Sequence, residues 1–529
     1  MIARIVDNKF IQLHSITDHE DQVLWEAFSV SEPGTYIDNS YYSNWDGVYR
    51  KYNRARKRLA RPLLGMLREV CEKHKLPLSV EDIRDPWKYT TVKQEDIDEN
   101  FLANIKLEDY QINAIRSCID NECGIVDVPT GGGKGELICG FCKAIQCPTL
   151  ILADQRVVVK QLKERLELRD ITDDVGIFYA GKRPDGQVIV VGLIQTLTAN
   201  KKPPELPDRK KDETDKAYKK RLDRYEASLK AFKTRKKNVK FLNEYVKKAE
   251  MIIVDECDKA ASESYKNLFR HSFQGRRRYG FSGTPFDPDK PVNEIVIKEH
   301  LGSIIYKEQR ETILNRGRIV PITYNMLAFG LEGNPNEGSA YDIAYDEWII
   351  NNKKFHHLIY KLCAKFNTVG KLILVDRKNL GYSLRDTIQE HGIEAHFIHG
   401  DTPTKERDAT LKRFERREFS VLIGGKIINR GLDLAGGCEV LILAGSNKDR
   451  SDLLQRVGRA FRRNELGSSK IYDFFFRCNR YLYDHSKQKL KIMVNNKFDT
   501  KVIFPGGVID GSEFISKRFR VDKRLLGNK

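Results

Sequence analysis

The 529-residue chain has no uninterrupted apolar run of about 18 residues, the length a helix needs to cross a bilayer, so no membrane partner is expected. Its opening residues, MIARIVDNKF, carry no signal-peptide core, and a soluble protein of the cytoplasm is expected. A complete set of metal-binding cysteines is also missing. Cys139 and Cys142 have the spacing of half a zinc site, but the ten cysteines contain no matching second pair and several lie in apolar runs. Reduced, buried thiols follow from that pattern. The chain is short of negative charge as well. Its 92 Lys and Arg against 74 Asp and Glu leave a net charge of +18, which favours a polyanionic partner, nucleic acid first. The length alone implies roughly three to four domains.

What is present is organised around residues 125–136, IVDVPTGGGKGE, where a short apolar run breaks into glycines and ends on a lysine. This pattern reads as a strand feeding a phosphate-cradling loop. Consecutive glycines let backbone N–H groups turn around a phosphate without Cβ clashes, and Lys134 then reaches the β- and γ-phosphates. The apolar segment 137–145 reads as a buried helix whose positive end faces the anion. Taken alone, a glycine-rich turn before a helix is often only a turn. Two positions are irregular: Val128 stands at the opening glycine of the G-x-x-x-x-G-K-[ST] pattern, and Gly135 stands where a hydroxyl ordinarily binds Mg²⁺.

Downstream, strands and helices alternate as in a parallel α/β sheet. LEDYQINAIRSCID (107–120) reads as a helix, TLILADQRVVVKQLKERL as a strand and helix, and QVIVVGLIQTL as a strand ending at Gln195 and Thr196. MIIVDECDKA is a strand that ends in Asp255 and Glu256. A carboxylate pair there can hold Mg²⁺ through Asp255 and deprotonate a water through Glu256. RRYGFSGTPF delivers Ser282 to Pro285 to the same sheet edge. Residues 201–240 interrupt this alternation with 16 basic and 7 acidic residues, a net +9. Tyr218, Leu222, Leu229 and Phe232 have partly helical spacing, so an inserted helical arm is expected, either a second electrostatic contact for nucleic acid or a solvated hairpin.

These motifs, in this order, resemble those of the superfamily 2 helicases. The resemblance continues through a second α/β unit, where SVLIGGKIINRGLDLAG is similar to the fifth motif and SDLLQRVGRAFRR to the sixth. It implies two tandem RecA-like parallel-sheet domains with an N-terminal α+β DNA-binding domain and a helical insertion. The expected domains are residues 1–95, 96–318 with the insertion at about 201–240, 319–485, and a basic extension at 486–529. Gln111 would read adenine, and Thr130, Gly131, Gly132, Gly133, Lys134 and Gly135 would hold the phosphates of ATP. Asp255 would bind Mg²⁺, and Glu256 would activate water. Asp258 would take a coupling position, and Asp433 a nucleotide-sensing one. Arg459 and Arg462 would reach the γ-phosphate from the second domain, with Gln455 helping to position that region. Gly425 departs from the fifth motif, where a threonine often contacts the strand.

The aromatic and basic stretch 36–59 precedes this motor. Arg50, Lys51, Arg54, Arg56, Lys57, Arg58 and Arg61, beside Tyr41, Tyr42, Trp45 and Tyr49, combine phosphate-binding charge with rings able to stack on bases. The stretch resembles that of phage recombination and branch-migration helicases of the UvsW type, which places the protein in the host cell cytoplasm if it is phage-encoded. The resemblance implies a monomeric ATP-driven DNA helicase or translocase for forked, branched or duplex DNA, with a single strand passing through the motor cleft near Gln195 and Thr196. An RNA helicase and an ATP-gated nucleic-acid clamp are the alternatives. A nuclease-coupled motor is disfavoured, since no cluster of acids with a lysine stands outside the motor. Polarity by family analogy is 3′ to 5′.

Overall fold

The computed structural model describes residues 1–32, 46–179, 182–197, 203–209, 213–425, 438–462, 464–521 and 523–526. The chain divides into two compact units, one of Met1–Pro129 with Gly133–Glu308 and one of Gln309–Lys529 with Thr130–Gly132.

The first unit is built on a seven-stranded sheet in the order Val175–Phe178, Ile189–Leu193, Thr149–Ala153, Met251–Asp255, Arg277–Ser282, Cys123–Asp127, Ile304–Lys307, all parallel. Thr149–Ala153, Ile189–Leu193 and Arg277–Ser282 are buried at every position. Such continuous burial is what cover on both faces of a parallel sheet demands, and it explains the apolar runs of the first two, while Arg277–Ser282 buries two arginines as well. The register sets Asp255 beside Phe281 and Ser282 beside Asp127, so the strands end together at one edge. That edge receives every chemical motif of this unit.

The N-terminal residues form a smaller α+β layer in the same unit. Its sheet runs Arg58–Ala60, Phe10–His14, Ile2–Ile5, Ser79–Asp82. Helix Asp18–Ala27 opens with a reciprocal cap between Thr17 and Glu20, and Leu24, Phe28, Leu59, Leu63 and Leu67 fill the core. A second helix, Leu64–Lys73, is entered through a turn at Arg61–Leu63. Gly47 turns with φ 76°, and Val48–Arg50 then pairs with Ser29–Ser31. Tyr41, Tyr42 and Trp45 lie outside the described residues.

The second unit carries eight strands in the order Ala395–Ile398, Val421–Gly424, Lys371–Val375, Val440–Ala444, Ser469–Phe476, Ile322–Phe329, Asp499–Phe504, Gly507–Asp510, parallel except for the last hairpin. These are two tandem RecA-like parallel-sheet domains. The boundary expected at 486 falls inside helix Arg480–Asn495, and the residues after it extend the sheet. Thr500, Val502 and Phe504 are buried while Asp499 and Lys501 face outward, so part of the stretch expected as a basic extension is a strand paired on both sides, between Ile322–Phe329 and Gly507–Asp510. The insertion is a 34-residue helix, Asp215–Lys248, that extends past 240 because Leu242 and Val246 belong to the core of the first unit. Among the described residues no helix is long and apolar enough to cross a membrane.

One buried ion pair anchors the second sheet. Lys489, 2% exposed, lies 2.5 Å from Asp473, which is fully buried and also accepts the Tyr324 hydroxyl. Lys489 donates in addition to the Gly445 carbonyl at 3.3 Å. Removing one partner leaves the other charge buried alone, which costs roughly 3–5 kcal/mol. Lys489→Met is therefore expected to lower the unfolding free energy of the second unit, read from its denaturant transition, by about that much. A change under about 1 kcal/mol would show that the pair is not structural.

Candidate functional site

The glycine loop follows strand Cys123–Asp127 and opens helix Lys134–Ala144. Gly133 caps that helix with φ 81°, and a Cβ there would lie 2.5 Å from Nε2 of Gln111. Both the left-handed backbone and the close approach demand glycine at this position. Gln111 is 4% exposed, and its Oε1 accepts the Glu108 N–H at 3.0 Å, closing the start of helix Asp109–Asp120. The structure thus brings Gln111 against the loop. The loop is joined to the Ser282 strand through the Val128 N–H, which donates to the Ser282 carbonyl at 3.1 Å.

Lys134 lies 3.4 Å from Glu256, which places the loop's cation on the carboxylate pair. Burial works against the charged ammonium, but Glu256 and Asp255 outweigh it and hold Lys134 above the usual lysine range. The opposite happens next to it. Burial, and then the charge of Glu256, push the Asp255 carboxyl up to about 7 against the pull of Lys134. Glu256 has φ 51°, a left-handed conformation that costs a residue with a side chain roughly 1–3 kcal/mol. Strain and two half-buried carboxyls sharing one lysine thus meet at the end of one strand, which suits a site completed by a cation. Asp154, at the end of the neighbouring strand, pairs with Lys259 just after the DECD motif.

Gly135 has its own steric explanation. A Cβ at this position would lie 1.9 Å from Nη1 of Arg165 and 3.1 Å from its Cδ. Arg165 comes from helix Arg156–Leu168 and pairs with Glu136 at 3.4 Å. Glu136 in turn takes two hydrogen bonds from Arg169, at 2.7 and 3.1 Å. A guanidinium therefore fills the space of the missing side chain. Sequence reasoning passed over Arg165, Glu136 and Arg169; the available signal was a lone acid, Glu136, at the head of an apolar helix.

In the second unit, helix Arg450–Gly458 carries Gln455, whose amide donates to the Ser451 hydroxyl at 3.4 Å. Arg459 and Arg462 follow it, both half-buried. Arg456 is the residue the sequence reading missed. It is 5% exposed and pairs with Asp376 and Asp452, each at 2.7 Å. Asp376 also accepts the N–H groups of Ser446 at 3.1 Å and Asn447 at 3.3 Å, so this network fixes how the arginine-bearing helix leaves its strand. Asp433 lies outside the described residues.

Much of the N-terminal basic patch is neutralised within the fold. Arg50 pairs with Asp46, Lys51 with Glu299 at 2.6 Å, and Arg54 and Lys57 each with Asp21 at 2.5 Å. Burial would raise the Asp21 carboxyl, yet hydrogen bonds from Lys57, Tyr52 and Arg54 hold it down to about 2. Arg58 lies over the Phe10 ring at 4.9 Å, and Arg56 is exposed. Gln195 is exposed and donates to the Asp154 carbonyl at 3.2 Å, beside half-exposed Thr196.

Two family profiles match the chain, the type III restriction enzyme res subunit over residues 104–287 and the helicase conserved C-terminal domain over 353–464. Together they span more than half of it. The chain is 21% identical over 429 residues to the DNA 3′-5′ translocase XPB2 of Sulfurisphaera tokodaii, covering 72% of this chain and 86% of that protein. It is 24% identical over 378 residues to the DNA 3′-5′ helicase XPB of Mycobacterium tuberculosis, covering 69% of this chain and 60% of that protein. Among solved structures, UvsW of bacteriophage T4 aligns over 95% of this chain and 98% of that one, with a TM-score of 0.42 and 15% identity.

Two outcomes follow from the site. Asp255 titrates near 7 in the fold against an ordinary 3.8, so it contributes stability that is full below about pH 4 and lost as pH rises through 7. Asp255→Asn is therefore expected to melt higher than the parent at pH 8 and alongside it only below about pH 4, without nucleotide. Equal melting temperatures at pH 8 would show that Asp255 is not held at a raised pKa. Second, Gly135→Ser must turn aside the Arg165 side chain, whose Nη1 and Cδ both lie within 3.1 Å of the added Cβ, and so disturb its pair with Glu136. In a double-mutant cycle with Arg165→Ala, the loss should be less than additive by at least about 1 kcal/mol, and strict additivity would exclude the contact.

Proposed function

Because this chain belongs to the superfamily 2 helicases, we propose that it couples ATP hydrolysis to unwinding of, or translocation along, DNA. The observation that carries this reading is the Lys134–Glu256 contact at 3.4 Å beside a half-buried Asp255 whose carboxyl is pushed up to about 7. Such a cluster is short of one cation and one anion, as expected where a metal-bound triphosphate docks. ATP and Mg²⁺ fit the residues present: the glycine loop 130–133 and Lys134 would hold the phosphates, Gln111 the adenine, and Asp255 the metal. The metal supplies charge neutralisation on the β- and γ-phosphates.

The chain's own groups do the rest. Lys134 gives up Glu256 for the phosphates, which frees that carboxylate to take a proton from the attacking water. Arg459 and Arg462 act as γ-phosphate ligands, with Gln455 positioning them, and Asp433 senses the nucleotide. Arg456 is a positioning residue. Gln195 and Thr196 contact the strand, and backbone contacts dominate because a motor must step over any sequence. The relatives named as DNA translocase and helicase support DNA over RNA as the track.

Action on forked or junction DNA, as in phage recombination, replication or repair, is the finer form of the proposal. It draws on the aromatic and basic segment, of which Arg56 and Arg58 are the cations left by the ion pairing. A monomeric motor is the expected state. One observation favours a second reading, an ATP-gated clamp that hydrolyses poorly: Arg165 fills the space of the usual metal-binding hydroxyl.

The test is ATP hydrolysis and unwinding on matched DNA and RNA duplexes, forks and four-way junctions. DNA-stimulated hydrolysis is expected, reduced about 10²–10⁴-fold by Glu256→Gln and abolished by Lys134→Ala. Arg56→Glu with Arg58→Glu should weaken junction binding and lower its salt slope by about one per lost contact. Point variants are preferred to deleting residues 1–95, since Arg61 is buried against Glu122 at 2.6 Å. Nucleotide-dependent DNA binding without hydrolysis would establish the clamp, and stimulation by RNA alone would move the track to RNA.

A further inference from the structure

Helix Asp215–Lys248 is the one feature singled out by the sequence that the motor chemistry leaves unused. Its charge alone suggested a nucleic-acid contact, but its apolar residues are placed with a regularity that charge does not need. Tyr218, Leu222, Tyr225, Leu229 and Phe232 are separated by four, three, four and three residues, and Val239 falls one full heptad later with Lys236 at the intervening place. All six apolar residues are half-buried, whereas every residue between them whose side chain is described is exposed except Arg221. The stripe therefore repeats every 3.5 residues and stays narrow, the pattern of a coiled-coil seam and not the broader face that a helix turns to a globular core.

Among the described residues the helix enters a core at its C-terminal end. Leu242 and Val246 enter the core of the first unit with Ala249, whereas none of the described side chains from 215 to 239 is buried. The preceding chain folds back on the first turns, where Arg209 lies 5.6 Å from the Tyr218 ring and Arg221 pairs with Glu213 at 2.8 Å. From Leu222 to Val239 the seam runs on for about 27 Å at 1.5 Å per residue.

We propose that this seam docks an amphipathic helix of a partner protein whose flanking positions are acidic, forming a two-stranded coiled coil. The flanks choose the partner. The positions on either side of the seam are Lys219, Arg221, Glu226, Ser228, Lys233, Arg235 and Lys240, five basic and one acidic. A second copy of this helix would set mostly like charges against one another and bring Lys236 against itself, whereas an acidic helix pairs with both. Duplex DNA would satisfy the charges but has no use for apolar side chains in heptad register.

The test uses the full chain and three labelled probes in anisotropy titrations: a four-heptad synthetic helix with Leu in the seam and Glu on its flanks, the same helix with Lys on its flanks, and a DNA duplex. The acidic helix is expected to bind and the basic one not. Leu222→Glu with Leu229→Glu, both away from the core, should weaken the acidic helix at least tenfold while leaving duplex binding and basal ATP hydrolysis unchanged. Should that variant misfold by circular dichroism, Lys219→Glu with Lys233→Glu serves instead, and should shift preference toward the basic helix. The proposal is overturned if the acidic helix does not bind, if both helices bind equally, or if the variants do not change binding. It is also overturned if light scattering shows the chain pairing with itself through the seam, or if the leucine variant loses duplex binding instead.

Discussion

The first unit depends on holding charge at the half-buried end of a parallel strand. Met251–Asp255 is covered on both faces, so its last residues, Asp255 and Glu256, emerge where water screens poorly. Lys134 answers one of the two carboxylates, and Asp255 responds by favouring its protonated form. Several features follow from this contact. Gly133 must be glycine so that the loop can turn Lys134 inward while Gln111 packs against it, and Glu256 is strained to face that lysine. The site is incomplete by construction, and completing it changes which charges are paired. Under the proposed function, this is how a nucleotide would act as a switch.

Ion pairing also revises what the positive charge of the chain means. Asp21 alone holds Arg54 and Lys57, and Glu122 gathers Arg61, Arg84 and Arg276. These contacts bind the N-terminal layer to itself and to the first motor sheet. A count of Lys and Arg therefore overstates the surface open to a polyanion in this region. The opposite holds along helix Asp215–Lys248, where most described cations are exposed. The net charge of +18 is distributed by pairing, which composition does not reveal.

The same rule separates what was legible from what was not. The strands were readable because parallel strands covered on both faces carry apolar residues in unbroken succession at their centres, as IIV and LIL do in MIIVD and TLILA. The loop and the DECD motif were readable because phosphate and metal chemistry demands particular residues at short range. Gly135 looked like a defect because only its neighbours in sequence were visible; the arginine that fills its space stands thirty residues away on another helix. Arg456 was missed for a related reason, since its partner Asp376 is eighty residues distant.

By itself the sequence determined the alternation of elements, the order of the motifs and the heptad spacing of the inserted helix, all consequences of local periodicity and of chemistry carried by adjacent residues. Only the tertiary structure decided which charges are neutralised, why a glycine replaces a hydroxyl, and that the residues after 486 complete a sheet. Each of these rests on contacts between segments far apart in the chain. Such contacts form only when burial brings the segments together, and no pattern along the backbone encodes their distances.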